Sequence, residues 1–375
     1  MKISLKIFFL VIILFNNSCT KDQNKIKRDD KLTASNCPRI ASLTSILKKE
    51  PLYNVITYAG AHGQFIDVVD GVLCKARFQG LYDLVVTPDG TIYVGDIFVA
   101  NIRKITPAGI VSTFAGIDKG SGTERREEDG VGTAARFSTV QNFVLNKQGD
   151  LFSIDGFGAG YGELGSLRKI TPDANVSTLI YGGDRPIGYQ DGPLSEAKIG
   201  ALADITITQD GSFLIYDYDN NLIRKLSPDN MVSTYAGQKP VDGQPKRGYQ
   251  DGPKENALFQ EVSTMSMGPD GSLYFFDIDK IRRVTPAGMV ETIATINDYL
   301  RAIVITEKGE IFIANQRKIF KMVNGTVQEI AGTYKDAVND GVGLQANFNS
   351  IGQMVQYKNF LYITDGQTLR RMNIE

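Results

Sequence analysis

Short runs in which apolar and polar residues alternate recur along most of the chain. The run "SFLIYD" (212–217) has the period of two that is typical of a half-buried strand. Related runs are "TIYVGD", "SLYFFD" and "EIFIAN", and each follows a two-residue turn such as Asp89-Gly90. An apolar run such as "ITIT" precedes the turn, a run such as "IRKLS" follows the acid, and a run such as "MVSTYAG" comes last. The pattern therefore predicts repeated units of four strands.

Six such units can be counted in register. In each, the residue six positions after the turn is an acid or its amide: Asp96, Asp155, Asp217, Asp277, Asn315 and Asp365. Five units end in a fourth strand, whereas the sixth stops at Glu375. The run "YNVITYAG" (53–60) has the fourth-strand pattern but no earlier strands before it. Because a ring can use this strand to cover its last open edge, we expect residues 53–60 to pair with 367–375.

These motifs resemble those of the NHL-repeat family of β-propellers, with its "D-G" turn, "LYVAD", "IRKI" and "G-x-V-x-T-x-A-G" segments. The resemblance covers 53–375 and implies an all-β fold, a six-bladed β-propeller of four-stranded antiparallel blades closed by the N-terminal strand 53–60. It extends to the exported NHL lipoproteins of Gram-negative gut and soil bacteria. It does not imply a function, because propellers include enzymes, receptors and scaffolds.

The N-terminal region has a different pattern. Lys2 and Lys6 precede the apolar run 7–15, which is too short to span a bilayer and suits a signal peptide. We interpret 1–18 as a lipoprotein signal peptide and Cys19 as the acylated first residue of the mature chain; an ordinary secretory signal is the alternative. Residues 19–52 then form a polar tether and a short pre-domain segment. The expected location is the cell envelope, with lipid anchoring at the outer membrane.

Composition narrows the choice of partners. The net charge of −1 gives no field that would recruit nucleic acid. The single histidine, His62, argues against a zinc lyase, which would need several. Once Cys19 is set aside, Cys37 and Cys74 form either a disulfide or two unrelated thiols.

One nine-residue phrase occurs five times, and we call it the opening phrase. Its copies are "DGVLCKARF" (70–78), "DGVGTAARF" (129–137), "DGPLSEAKI" (191–199), "DGPKENALF" (251–259) and "DGVGLQANF" (340–348). Asp-Gly favours a tight turn, and the final ring can be buried where two blades meet. We expect the phrase to cross from one blade to the next, and we favour this over a row of calcium loops. By the same reasoning, the repeated acids and the arginines of the third strands predict ion pairs or turn caps.

Function is expected where the units differ. A long glycine-rich loop, 156–166, includes Tyr161, and two insertions share "GYQDGP". The insertions place Tyr189 and Tyr249 in equivalent positions, with Arg185 and Arg247 nearby. These residues are candidates for stacking on and bonding to a sugar or peptide; the equal alternative is that each ring covers its own loop. At the position seven before each turn glycine, four neighbouring units have oxygen-bearing side chains, which makes a candidate metal site: Asp83, Asn142, Asp204 and Thr264.

Two functions follow as hypotheses. The first is a membrane-anchored extracytoplasmic binding module whose loop-rich face takes a glycan, a peptide or an envelope protein. The alternative is a hydrolase or lactonase that uses calcium or another divalent cation on the axis. The sequence identifies no general base or other catalytic residue, so enzymatic activity is left undecided and is the less favoured of the two.

Overall fold

The structure of the chain is a computed structural model, which describes residues 50–63, 67–117, 127–156, 164–183, 187–335 and 338–375. All described residues belong to one compact unit, which spans 40–375. The predicted signal peptide, Cys19 and most of the predicted tether lie outside the described residues.

The described residues form 29 strands in six antiparallel sheets, which are the blades. The chain begins with β1 (Asn54–Gly60). Blade 1 consists of β2 (Gly71–Val72), β3 (Leu81–Val86), β4 (Ile92–Asp96), β5 (Asn101–Ile105) and β6 (Ile110–Gly116). Blade 2 consists of β7 (Gly130–Val131), β8 (Gln141–Leu145), β9 (Leu151–Asp155), β10 (Ser166–Ile170) and β11 (Asn175–Ile180). Blade 3 consists of β12 (Gly192–Pro193), β13 (Leu202–Ile207), β14 (Phe213–Asp217), β15 (Leu222–Leu226) and β16 (Met231–Ala236).

The C-terminal half continues the series. Blade 4 consists of β17 (Gly252–Pro253), β18 (Val262–Met267), β19 (Leu273–Asp277), β20 (Lys280–Val284) and β21 (Met289–Thr295). Blade 5 consists of β22 (Leu300–Ile305), β23 (Ile311–Asn315), β24 (Ile319–Val323) and β25 (Thr326–Ala331). Blade 6 consists of β26 (Gly341–Val342), β27 (Ile351–Tyr357), β28 (Phe360–Asp365), β29 (Thr368–Asn373) and the N-terminal β1. Two single 3-10 turns, Gly132–Ala134 and Gly343–Gln345, follow β7 and β26.

The blades form a closed ring. The first long strand of each blade lies innermost and contacts the innermost strand of both neighbouring blades; these strands are β3, β8, β13, β18, β22 and β27. Strand β1 completes blade 6 by pairing antiparallel with β29, and Val55 lies opposite Met372. The sequence prediction of a six-bladed propeller closed by its N-terminal strand is confirmed.

The opening phrase adds a strand that the sequence did not predict. In five blades its Gly-Val or Gly-Pro pair is hydrogen-bonded to the outermost long strand, as Gly71 pairs with Val111. Those blades therefore have five strands among the described residues, whereas blade 5, which has no phrase before it, has four. In these five blades the phrase enters at the rim before it turns inward, so the rim strand is protected from other sheets.

The predicted burial of the phrase's final ring is confirmed. Phe78, Phe137, Phe259 and Phe348 are fully buried. Phe78, for example, lies in a cluster that contains Leu369 of blade 6 as well as Leu84 of blade 1. Burial of such a ring stabilises the fold by about 2–3 kcal/mol. The core is therefore divided into clusters at the interfaces between blades.

Candidate functional site

Buried arginines connect the opening phrase to the body of the blade in the five blades that a phrase precedes. Arg168 donates to Asp155 at 2.6 Å and to the phrase residue Asp129 at 3.0 Å. The same guanidinium donates to the carbonyls of Arg136 and Glu128. The arrangement recurs with Arg224 between Asp217 and Asp191, Arg282 between Asp277 and Asp251, and Arg370 between Asp365 and Asp340. The predicted ion pairs are present in these four blades, and the phrase aspartate has a structural role.

The acid of each pair also caps the start of an inner strand. Asp155 accepts hydrogen bonds from the backbone amides of Ser138 at 2.7 Å and Thr139 at 2.9 Å. Burial raises the pKa of Asp155 to about 7, while these amides and Arg168 act in the opposite direction. These aspartates therefore form their hydrogen bonds and ion pairs with groups of the blade itself.

A central channel runs between the six inner strands. It encloses a cavity of about 430 Å³. The walls extend from the level of Asp83, Asn142 and Asp204 to the turns near Pro269 and Glu307. This is the volume of a small-molecule pocket.

The predicted metal residues lie at one end of this cavity and join neighbouring blades. Asp83 accepts a hydrogen bond from the amide of Phe143 at 2.7 Å. The side-chain amide of Asn142 donates to Asp204, and Asp204 accepts from the amide of Met265. These hydrogen bonds link blade 1 to blade 2, blade 2 to blade 3 and blade 3 to blade 4.

The same level of the channel is linked through the remaining blades. Thr264 donates to the carbonyl of Arg301 at 3.0 Å, and Arg301 donates to the hydroxyl of Ser350 at 3.1 Å. Thr364 then donates to the carbonyl of Tyr82 at 2.9 Å and returns the series to blade 1. We call this closed series of hydrogen bonds the channel ring.

The channel ring places two carboxyl groups in a buried setting. Burial raises the pKa of Asp83 to about 7 and that of Asp204 to about 6. The hydrogen bonds that both carboxylates accept from amides act to lower the pKa. Asp204 further raises the pKa of Asp83. Asn142 and Thr264 have positive φ, 56° and 47°, which is unusual for residues other than glycine and strained for a β-branched one.

No group of three or more His, Cys, Asp or Glu side chains that could hold a metal ion occurs among the described residues. The four predicted metal residues do lie at one level, but each of their side chains forms a hydrogen bond with a neighbouring blade. Metal binding at this level stays a prediction.

A second group of side chains surrounds the mouth of the channel beyond the ring. We call Tyr82, Glu261, Tyr299 and Arg301 the mouth cluster. The Arg301 guanidinium carbon lies 6.0 Å from the centre of the Tyr299 ring, which is 58% exposed. Tyr82 is 38% exposed, and the burial of the rest of its side chain raises its pKa to about 12, although Arg301 acts to lower it. Glu261 and Arg301 both act on the pKa of Tyr299, so the four groups share one electrostatic environment.

The two tyrosines predicted to be equivalent have different surroundings. The Tyr189 hydroxyl donates to Asp191 at 3.0 Å and lies 2.9 Å from the Thr234 hydroxyl. The centre of its ring lies 5.0 Å from the Arg224 guanidinium carbon. In the other phrases the final phenylalanine covers the equivalent arginine, but the phrase of this blade ends in Ile199, which leaves that place open. Tyr189 therefore covers its own blade.

Tyr249 has an exposed ring. It is 47% exposed, and the Lys280 ammonium lies 4.6 Å from the centre of its ring. Arg247 donates to the carbonyl of Gln260 at 2.7 Å and lies 5.3 Å from the centre of the Tyr218 ring. The remaining two candidates, Tyr161 and Arg185, lie outside the described residues.

Sequence reasoning missed the mouth cluster, although a signal for two of its members exists. Tyr82 and Arg301 each occupy the position directly before the register of the predicted metal residues. Successive residues of a strand point to opposite faces of the sheet. The residue before each predicted metal position therefore has a side chain on the other face of the same strand. Tyr299 and Glu261 lie in connections between strands, where no periodicity indicates direction.

Solved structures share this fold at low sequence identity. An auxiliary nutrient binding protein from Bacteroides ovatus is similar with a TM-score of 0.59 and 13% identity, over 86% of this chain and 76% of that one. A streptogramin B lyase has a TM-score of 0.53 and 15% identity, over 86% and 98% of the two chains. A gluconolactonase from Xanthomonas campestris has a TM-score of 0.51 and 10% identity, over 88% and 98%. These likenesses show the propeller fold alone.

No protein-family model matches the chain, and no curated protein matches its sequence. Within the part of the chain that the structure describes, no helix is long and apolar enough to cross a membrane.

Proposed function

We propose that this protein is an extracytoplasmic binding module and that its ligand contacts the mouth cluster. The proposal keeps the NHL-type interpretation of the repeats, with a lipid at Cys19 that anchors the chain to the cell envelope. The ligand is a glycan, a peptide or an envelope protein.

The mouth cluster is the observation that carries the proposal. Tyr82 and Tyr299 present aromatic surface to solvent beside the fixed charge of Arg301, which its bonds to Ser350 and Ile351 hold in place. Aromatic rings with a polar end, next to an ordered cation, supply both stacking and hydrogen bonding at little cost in side-chain entropy. Tyr249, Arg247 and Tyr218 extend the same kind of surface over blades 3 and 4.

The fold neighbours support a binding function only in general terms. The Bacteroides ovatus protein, whose fold is similar, is an auxiliary nutrient binding protein. The alternative, a metal-dependent hydrolase, has less support. The carboxylates of the channel ring, which would have to bind the metal, accept hydrogen bonds from backbone amides of the neighbouring blades. Calorimetric titration of the full chain with calcium tests that alternative, and saturable binding that is lost in Asp204→Asn would favour it.

The binding proposal is tested with the full chain on glycan and peptide arrays, followed by titration of any retained ligand. We expect Tyr299→Ala to weaken that binding at least about tenfold, which corresponds to loss of one good aromatic contact. Tyr181→Ala is the matched control, since Tyr181 is 61% exposed and lies outside the mouth cluster. Equal effects of the two substitutions, or no retained ligand on either array, would contradict the proposal.

A further inference from the structure

Blade 5 has an open rim, unlike the other five blades. Among the described residues its outermost strand β25 pairs only with β24, whereas β6, β11, β16, β21 and β1 each also pair with a two-residue strand of an opening phrase. We call the unpaired side of β25 the open edge. An unpaired strand edge is a template for addition of another strand.

The other blades show how an added strand would lie on the open edge. In blade 1, Gly71 lies opposite Val111, and the carboxylate of Asp70 accepts from the amide of Thr113 at 3.4 Å. Alignment of "IVSTFAG" (110–116) with "TVQEIAG" (326–332) places Val327 and Glu329 at the positions of Val111 and Thr113. Since alternate amides of a strand point the same way, those of Val327 and Glu329 face the open edge.

A groove lies beside the open edge, between the end of blade 4 and blade 5. Its volume is about 440 Å³, and Ala294, Ile296, Phe320 and Val327 provide its apolar wall. Phe320 occupies the position that an arginine holds in the other blades, opposite Glu329 in the ladder. An added segment would therefore meet an aromatic ring where the opening phrases meet a guanidinium.

We propose that the open edge binds an extended segment of a partner protein by strand addition, with an apolar residue where the opening phrase has aspartate. The chain's own phrases do not fit, because their aspartate would lose its arginine and lie against Phe320 and near Glu329. The side chains of Asp70 and Asp129 are 49% and 53% exposed in their own blades, so the cost of an aspartate here comes from the missing arginine and the like charge of Glu329. This surface is separate from the mouth cluster, so the inference does not depend on the proposed function.

Two labelled peptides serve as probes for the full chain. One is the chain's own segment 127–137, "EEDGVGTAARF", and the other is the same peptide with Asp129→Leu. We expect the leucine peptide to bind at least about tenfold more tightly in fluorescence anisotropy. Hydrogen exchange should show slower exchange at Val327 and Glu329 in that complex.

Two substitutions in the protein make the test specific. Phe320→Arg restores the arginine of the other blades and should reverse the preference toward the aspartate peptide. If this buried substitution prevents folding, Val327→Pro decides, because it removes an amide that faces the open edge and should abolish binding of both peptides. Val327→Thr keeps that amide and is its control.

Three results would overturn the proposal. They are equal binding of both peptides by the unchanged protein, binding that survives Val327→Pro, and protection of β25 without peptide together with a dimer in sedimentation. The last result would assign the open edge to a second copy of the chain.

Discussion

The backbone amide of Thr57 donates to the carboxylate of Asp340 at 2.8 Å, although the two residues are 283 positions apart in the sequence. The Thr57 hydroxyl donates to the same oxygen at 2.9 Å, and Arg370 donates to it at 2.9 Å. One phrase aspartate thus joins the first strand of the propeller to its last. The closure of the ring therefore depends on a polar contact as well as on strand pairing.

The first prediction concerns this closure. Strand β1 lies between β26 and β29, so a proline within it removes a hydrogen bond to one of them. We expect Ile56→Pro to destabilise the protein by about 1–3 kcal/mol. Hydrogen exchange should accelerate most in β29 and least in blade 3.

Leu52→Pro is the control for that experiment. The amide of Asn54 donates to the carbonyl of Pro51 at 3.1 Å, and Tyr53 has φ of 58°, so Leu52 is the second residue of a turn that accepts proline. Stability should not fall in this variant. Uniform acceleration of exchange across all blades in Ile56→Pro would contradict a local clasp.

The second prediction concerns the buried arginines. Arg282 is fully buried and donates to Asp277 at 2.8 Å and to Asp251 at 2.7 Å. Arg282→Ala leaves two carboxylates without their cation, so we expect a loss of about 3–5 kcal/mol in the free energy of unfolding. Arg283→Ala, which breaks a surface pair with Glu291, should cost about 0–1 kcal/mol. Urea denaturation measures both, and similar losses would show that the buried pairs add nothing.

The third prediction concerns pH. Burial raises the pKa of Asp83 from its ordinary value of 3.8 to about 7, so between these values the folded chain binds the proton more tightly than the unfolded chain. The contribution of protonated Asp83 is fully present below pH 3.8 and is lost as the pH rises through about 7.

Asp83→Asn removes this titration. Relative to that variant, the unchanged protein should gain stability as the pH falls from about 8 to about 5 in denaturation experiments. A stability difference that does not change over this range would mean that Asp83 titrates at its ordinary pKa in the folded chain.

The fourth prediction separates the two tyrosines of the "GYQDGP" insertions. Tyr189→Ala removes a ring over Arg224 and a hydrogen bond to Asp191, so it should cost at least about 2 kcal/mol. Tyr249→Ala truncates an exposed ring and should change stability by no more than about 0.5 kcal/mol. Thermal denaturation distinguishes the two. Equal losses of stability would mean that Tyr189 and Tyr249 have equivalent structural roles, as the sequence suggests.

Much of the fold followed from local pattern. The alternation in runs such as 212–217 marks strands because a half-buried strand needs that period, and the unpaired run 53–60 indicates ring closure because it has no unit of its own. The fifth strand was missed for the opposite reason. Gly71 and Val72 are too few to show a period, and only their pairing with Val111 and Ile110 makes them a strand.

The candidate sites were less accessible from sequence. The register of Asp83, Asn142 and Asp204 correctly places them at one level of the channel, but it does not show that their oxygens and amide are bonded to the next blade. Identical local sequence at Tyr189 and Tyr249 does not reveal that Ile199 leaves room over Arg224, which only the first ring covers.

The sequence by itself determined the number of blades, the strand order within each blade and the closing strand, because these depend on periods and counts along the chain. Only the tertiary structure decided which polar side chains the fold uses internally, which surround the channel mouth, and that blade 5 has an open edge. Those outcomes depend on contacts between blades, where residues far apart in the chain compete for the same hydrogen bonds and the same buried volume.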